Sequence, residues 1–407
     1  MDAGMIWRCC RVLYSSRTSS LSRLAFSGVC QQSRRPISSE SHAQDSNLRT
    51  VFRTNVDDPR QHTVDQEGLY YKISEQETNT LFTEGIHPWY RRLTKTFNET
   101  CLMVRRPAVE LNSYIRNINL NHPVHRFILY GREGAGKNSI LNHVIHACYR
   151  DNWVIVHVPL AKRYIQGPWK QEVTESSFKP GRYDLPAVGA TWLSNFLRQN
   201  PGKLKDLKTT SEYVWSKREK AEIGTPLQEV INFGLTRIKF SSDCVGVILK
   251  ELRQQAQTKG LKVFVGISSV NYFFGESDHA NTVRTAEKRK LKPTEVSLIH
   301  NFKKMLSPTW THGVVVCTVG NSPVMKIQSG DYTPISLLGK EGFEFLDPFV
   351  PILVPEYSEK EARSTIDYYI DRNWIQNDYG KTEEGKKEIL FVSNKNPFGL
   401  YRVCSSL

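Results

Sequence analysis

No stretch of the sequence stays apolar for the roughly 18–20 residues that a membrane-crossing helix needs, so the chain offers no transmembrane segment. No Cys-x-x-Cys pair occurs. Cys9, Cys10 and Cys30 fall near the amino terminus, and Cys101, Cys148, Cys244, Cys317 and Cys404 are widely scattered. That spacing excludes a disulfide framework and a paired-cysteine zinc site, and it predicts reduced, mostly buried thiols. No internal repeat recurs at solenoid periods. The first 39 residues contain no lysine and a single acid, Asp2.

Those 39 residues hold six arginines (8, 11, 17, 23, 34, 35) and nine serines, with apolar residues interspersed. An arginine-rich, serine-rich, acid-poor start is the composition of a mitochondrial import signal, and removal is expected shortly after Arg35. A secretory signal would need a continuous apolar core of about 7–15 residues, and there is none. Of the net charge of +14, this leader supplies five, so residues 40–407 keep nine. A mature protein that basic is suited to a polyanion.

At 407 residues the chain is long for one domain. Residues 40–65 read as a polar extended arm. Ser74 and Glu77 form a capping box that opens a short helix. "FNETCLMVRRPAVELNSYIRNI" has helical apolar spacing divided by Pro107. Then buried-type strands are predicted at "RFILY" (126–130), "WVIVHVP" (153–159), "LKVFVGISSV" (261–270), "HGVVVCTVGNS" (312–322) and "FVPILVPEY". Helical segments alternate with them, among them "TWLSNFLRQ" and "CVGVILKELRQQAQTKG". "SEYVWSKREK" reads as a charged helix before a Gly-Thr-Pro break. This alternation predicts an α/β fold, a phosphate-loop parallel sheet covered on both faces, with AAA-type strand order. A second capping box, Ser358 with Glu361, opens a helix whose face carries Ile366, Tyr369, Ile370 and Trp374; one more helix and a short terminus follow. The expected division is a leader at 1–39, an N-terminal arm and helices at 40–120, the α/β core at 121–354, and a small helical domain at 355–407.

The core's first strand runs into "GREGAGKN". Gly131 to Lys137 fits the first seven places of G-x-x-x-x-G-K-[ST]. In such a loop, glycines permit a tight turn and amides converge on a phosphate at a helix start. The helix adds roughly half a positive charge, and the lysine reaches the β- and γ-phosphates. The expected binding set is Gly131, Arg132, Glu133, Gly134, Ala135, Gly136, Lys137, Asn138 and Ser139. The eighth place should carry a hydroxyl for Mg²⁺ and carries Asn138, which leaves only a weak metal candidate. The later strand should end in Asp and Glu, to hold Mg²⁺ and polarise water. It ends in Ser268 and Ser269, with Glu276 and Asp278 too far beyond to substitute. Binding is therefore expected without useful hydrolysis, since losing a positioned base typically costs about 10²–10⁴-fold. The rival expectation is an active GTPase or ATPase switch. His122, His125, His143, His146 and His157 cluster in sequence without an acid or thiol at ligand spacing, and they read as packed or surface residues.

Four basic stretches stand out. "YRRLTKTF" carries Arg91 and Arg92, "YVWSKREK" Lys217 and Arg218, "GKLKDLK" three lysines, and "RTAEKRKLKP" Lys288, Arg289 and Lys290. Their aromatic neighbours can stack on unpaired bases. The expected mode is phosphate contact, not base reading.

"RFILYGREGAGK", "YVWSKRE", "GVILKEL", "LLGKEGFEFLDPFVPILV" and "TEEGKKEILFVSN" resemble the death-associated protein 3 family. These are mitochondrial small-subunit ribosomal proteins with a guanine-nucleotide-binding fold. The resemblance covers most of residues 50–400. It implies a place in the matrix ribosome, with ribosomal RNA and ribosomal proteins as partners and contacts toward the large subunit. It also implies a linked role in cell-death signalling, and GTP or GDP as ligand, with ATP the alternative. The family carries Thr at the position of Asn138 and Asp at that of Ser268, which puts Mg²⁺ in question. "NKNP" (394–397) is not the guanine-reading N-K-x-D pattern.

Overall fold

The computed structural model describes residues 52–167, 172–275, 281–320 and 331–407. The leader, Glu276 and Asp278 lie outside them. Two short strands, β1 (Tyr70–Ile73) and β2 (Thr100–Met103), pair antiparallel. Strand β2 is a correction, because helical spacing was expected through Leu102. All four of its residues are buried, and a short apolar run does not reveal its period. The helix begins only at Arg106, with Pro107 in its first turn, where a missing N–H costs nothing.

Strands β3 (His125–Tyr130) and β4 (Val154–Val158) follow, then two-residue pairs: β5 (Thr174–Glu175) with β6 (Tyr183–Asp184), and β7 (Tyr213–Val214) with β8 (Lys220–Ala221). The β7–β8 hairpin replaces the charged helix expected over "SEYVWSKREK". Trp215 stacks on Phe233 at 5.5 Å, and the Tyr213 hydroxyl donates to Glu251 at 2.5 Å. Those two anchors hold extended chain where lysine and glutamate content alone would favour helix. The last strands are β9 (Val263–Ile267), β10 (Gly313–Thr318) and β11 (Val350–Leu353).

The main sheet is wholly parallel, in the order β11–β3–β10–β9–β4. Counted along the chain this is 5-1-4-3-2, the AAA-type order. Alternate residues feed opposite faces. Val154, Val156, Val265 and Cys317 enter one apolar cluster, and Phe127, Ile155, Phe264 and Val316 the other. Helices Pro186–Gln199 and Ser241–Lys259 contribute to the first cluster, and Arg106–Asn117 and Lys137–Arg150 to the second.

A third cluster joins segments from the two ends of the described chain. Phe52, Tyr70, Leu93 and Phe97 pack with Ile366, Tyr369, Ile389 and Leu400. The C-terminal segment holds two longer helices where one was expected, Glu383–Ser393 and Pro397–Cys404. Asn396 separates them by capping the second. The five cysteines from Cys101 onward are buried and free. His143, His146 and His157 are buried, and His62 from the N-terminal arm meets His143 at 3.0 Å.

Candidate phosphate-binding site

The loop 131–136 leaves the end of β3 and enters the 14-residue helix Lys137–Arg150. Gly131 lies at φ 139°, and a Cβ there would sit 2.3 Å from the Val354 carbonyl, so only glycine fits. Gly136 enters the helix at φ 93°, again a glycine conformation. Among the described residues, the amides of Gly134, Gly136, Lys137 and Asn138 donate to no protein acceptor. They make a nest of N–H groups at a helix start, which is the chemistry of an anion site.

Lys137 folds back over the loop. Its Nζ donates to the carbonyls of Gly131 at 2.7 Å and Arg132 at 2.8 Å. Burial pulls its pKa down to about 8, against the opposing charges of Glu133 and Glu356. An ammonium held at that cost gains from an arriving anion.

The metal side of the site is closed by neutral groups. The Ser269 amide donates to Thr318 Oγ1 at 2.9 Å, and the Thr318 hydroxyl donates to Asn138 Oδ1 at 3.2 Å. Thr318 ends β10 and is 1% exposed. Ser268 is also buried, with its amide donating to the Val158 carbonyl. Beyond it, Asn271 bonds Gly320 through both ends of its amide. Mg²⁺ seeks several oxygen ligands, with carboxylates and phosphates leading. This set offers no carboxylate, and the Asn138 oxygen already accepts a hydrogen bond. The residues fit a phosphate group and do not fit the metal.

The loop is buttressed by residues far away in sequence. Arg105 Nη1 donates to the Ala135 carbonyl at 2.7 Å, and its Nε to Glu361 at 2.8 Å. Asn396 Nδ2 donates to the Glu133 carbonyl at 2.9 Å, and the Phe398 amide to Gly134 at 3.3 Å. Arg132 pairs with Glu356 at 3.5 Å. Sequence reading missed Arg105, Thr318, Glu361 and Asn396 as loop partners. The second capping box did name Glu361, and one oxygen of Glu361 accepts from the Ser358 amide as that box requires. Its other oxygen faces Arg105. Asn396 lies in "NKNP", where it caps the last helix and holds the loop.

The basic candidates divide. Arg91 donates to the carbonyls of Phe82 and Thr83, which makes it a cap for the preceding helix, while Arg92 is exposed. Arg289 is held by Glu295 at 3.0 Å and lies over the Tyr183 ring, next to exposed Lys288 and half-buried Lys290. Lys217 and Arg218 sit on the β7–β8 turn and face residues 237–240 across an open cleft of about 850 Å³. In that cleft Glu219 is taken by Arg237 at 3.0 Å. Lys217, Arg218 and Lys239 have no acidic partner among the described residues.

The family model described as mitochondrial ribosomal death-associated protein 3 matches residues 102–403. The chain is 41% identical over 359 residues to small ribosomal subunit protein mS29 of Mus musculus, covering 88% of this chain and 90% of that protein. It is equally identical to mS29 of Bos taurus, covering 88% of this chain and 89% of that one. Among solved structures, the S. cerevisiae Hsp104-ADP complex aligns over 82% of this chain and 47% of its own, at 13% identity and a TM-score of 0.31. The sheet order stands on the strand register above and not on that likeness.

Proposed function

The chain belongs to the mitochondrial ribosomal death-associated protein 3 family, and from that membership we propose that it is a structural component of the mitochondrial small ribosomal subunit. It works in the matrix, against ribosomal RNA and neighbouring ribosomal proteins. The observation that carries this is a 41% identity over 359 residues, an alignment that spans 88% of the chain and 89–90% of the two mammalian relatives. The cleft of Lys217, Arg218 and Lys239 supports phosphate contact without base reading. Import rests on residues 1–39. Contacts toward the large subunit and a part in cell-death signalling enter the proposal by family membership alone. No described helix is long and apolar enough to cross a membrane. The test is sedimentation of mitochondrial lysate. The chain should travel with the small subunit; intact subunits that lack it, with the chain only in light fractions, would overturn the proposal.

The proposal includes a nucleotide held at residues 131–139 as a structural ligand and not turned over. Guanine is the family's implication, and adenine is the alternative that the identification below decides. The unpartnered amides and the desolvated Lys137 ammonium support binding. Neutral groups at 138, 268 and 269 speak against hydrolysis, which needs an ordered metal and an oriented water. Denaturing the native protein should release a nucleotide that can be identified. Lys137→Ala should empty the site and lower thermal stability, because a ligand bound only by the folded state stabilises it. Fast multiple turnover of fresh GTP by the wild type, lost in Lys137→Ala, would return the switch reading to first place.

A further inference from the structure

We propose that the loop binds its nucleotide without a divalent cation, the Asn138 side-chain amide donating to a phosphate oxygen where the metal would otherwise stand. This rests on the reading that the loop holds a nucleotide at all.

The orientation of the Asn138 amide is set by its neighbours. Thr318 Oγ1 already accepts from the Ser269 amide, so the Thr318 proton needs an acceptor of its own. Asn138 Oδ1 is that acceptor, at 3.2 Å. Turning the Asn138 amide over would point N–H at the Thr318 oxygen and strand the hydroxyl proton of a side chain that is itself 1% exposed. The oxygen therefore faces Thr318, and Nδ2 is left with its two hydrogens. No acceptor among the described residues takes them. Asn138 stands in the first turn of the helix, beside the backbone amides of Lys137 and Asn138 that also lack acceptors. One more donor in that nest adds to a surface built to meet an anion.

The same relay removes the metal's ligands. A hydroxyl at 138 would offer a free lone pair, whereas the Asn138 oxygen is committed to Thr318. Thr318 spends its proton on Asn138 and a lone pair on Ser269. Ser269 sits in the left-handed region at φ 59°, with its amide directed into the relay. Glu356, near the loop's other flank, is paired with Arg132. A donor that bonds a phosphate oxygen directly does part of what the cation does, offsetting its charge, with no cation to bind or dehydrate.

The closing experiment titrates the full-length protein, stripped of nucleotide, with a fluorescent N-methylanthraniloyl derivative of GDP. It is run in EDTA and again in excess Mg²⁺. The dissociation constant should be the same in both, within about twofold. Asn138→Asp keeps shape and can still accept from Thr318, but it turns the donor into an anion. It should weaken binding in EDTA by about 100-fold or more, with Mg²⁺ restoring at least about tenfold by bridging carboxylate and phosphate. Wild-type affinity that rises about tenfold or more with Mg²⁺ overturns the metal-free site, and that measurement needs no variant. An Asn138→Asp protein that binds like the wild type in EDTA overturns the role of Nδ2. If neither the GDP probe nor its ADP counterpart binds in any condition, and Lys137→Ala gives the same flat trace, the nucleotide reading itself fails and this inference falls with it.

Discussion

Replacing Arg105 with methionine tests how the loop is held. The Arg105 side chain is 3% exposed and its partner Glu361 is 4% exposed. All three of its nitrogens are engaged: Nε on Glu361 at 2.8 Å, Nη1 on the Ala135 carbonyl at 2.7 Å, and Nη2 on the carbonyls of Pro355 at 2.9 Å and Glu356 at 3.3 Å. The guanidinium also lies 4.9 Å from the Tyr357 ring centre. Methionine keeps much of the stem and removes the charge. Breaking one side of a buried ion pair leaves the other uncompensated, at about 3–5 kcal/mol. A folded domain holds only about 5–15 kcal/mol in total. Glu361 keeps the Ser358 amide as a donor, which places the expected loss near the lower figure, about 3 kcal/mol. Arg105→Met with Glu361→Leu removes the stranded carboxylate, so the double variant should be no worse than the single. A coupling at least as large as the loss in Glu361→Leu alone then follows in the double-mutant cycle. Urea denaturation of the four proteins measures it. An Arg105→Met loss under about 1 kcal/mol, or strict additivity, would refute the view that the pair is dry and shared.

Three further outcomes are expected. Burial pulls His157 down to about 3 and His143 well below its usual range, and it also lowers His62. Well above about pH 6.5 these rings are neutral in both states; as pH falls through that value, the unfolded chain takes up protons that the fold refuses, so stability drops. His157→Gln should flatten the drop between about pH 6 and 4 by up to about 1.4 kcal/mol per pH unit, and equal slopes in paired urea melts would contradict it. Neutralising Lys217, Arg218 and Lys239 together should reduce the log-log salt slope for ribosomal RNA binding by about 2–3 units, and an unchanged slope would make the cleft a solvated face. Deleting residues 2–39 should leave the protein in the cytosol by fractionation, and normal matrix delivery would place the signal elsewhere.

Four of the five core strands could be read from sequence because each is a continuous apolar run buried on both faces, as the interior of a parallel sheet requires; β11, at the sheet edge, shares the apolar run but buries only Ile352 of its four residues. The phosphate loop could be read because its glycines and lysine sit at fixed offsets. Strand β2 and the β7–β8 hairpin could not. Thr100–Met103 is too short to show a period, and the hairpin is held by Trp215 on Phe233 and Tyr213 on Glu251, contacts between segments that sequence does not align. Arg105 was hidden for the same reason. Beside Arg106 and Pro107 it looks like a solvated charge at a helix start, and only the fold brings it to Ala135 and Glu361. Asn138, Ser268 and Ser269 were each readable as departures from the pattern. Thr318, which joins Asn138 to Ser269, lies on a third strand with no motif of its own.

The parts of the site that are retained and those that are replaced follow one physical division. Retained are the groups that meet a phosphate from the protein backbone side: glycine turns, open amides, a helix start and Lys137. Replaced are the groups that would order a metal and a water. The retained half is also where the chain's distant segments converge. Arg105 reaches the loop from the N-terminal helices, and Glu361 and Asn396 reach it from the C-terminal ones. Behind them those same segments share the apolar cluster of Tyr70, Phe97, Tyr369 and Leu400. An anion bound at the open amides draws on a loop whose carbonyls at 133, 134 and 135 are already tied to Arg105 and to the C-terminal helices. Fixing the loop therefore fixes how those segments meet the sheet. Under the proposed function, turnover would release that constraint each time, so a ligand held for structure is the reading that this convergence supports. The neutral relay through Asn138, Thr318 and Ser269 is what the proposal of a loop that keeps its ligand requires at that position.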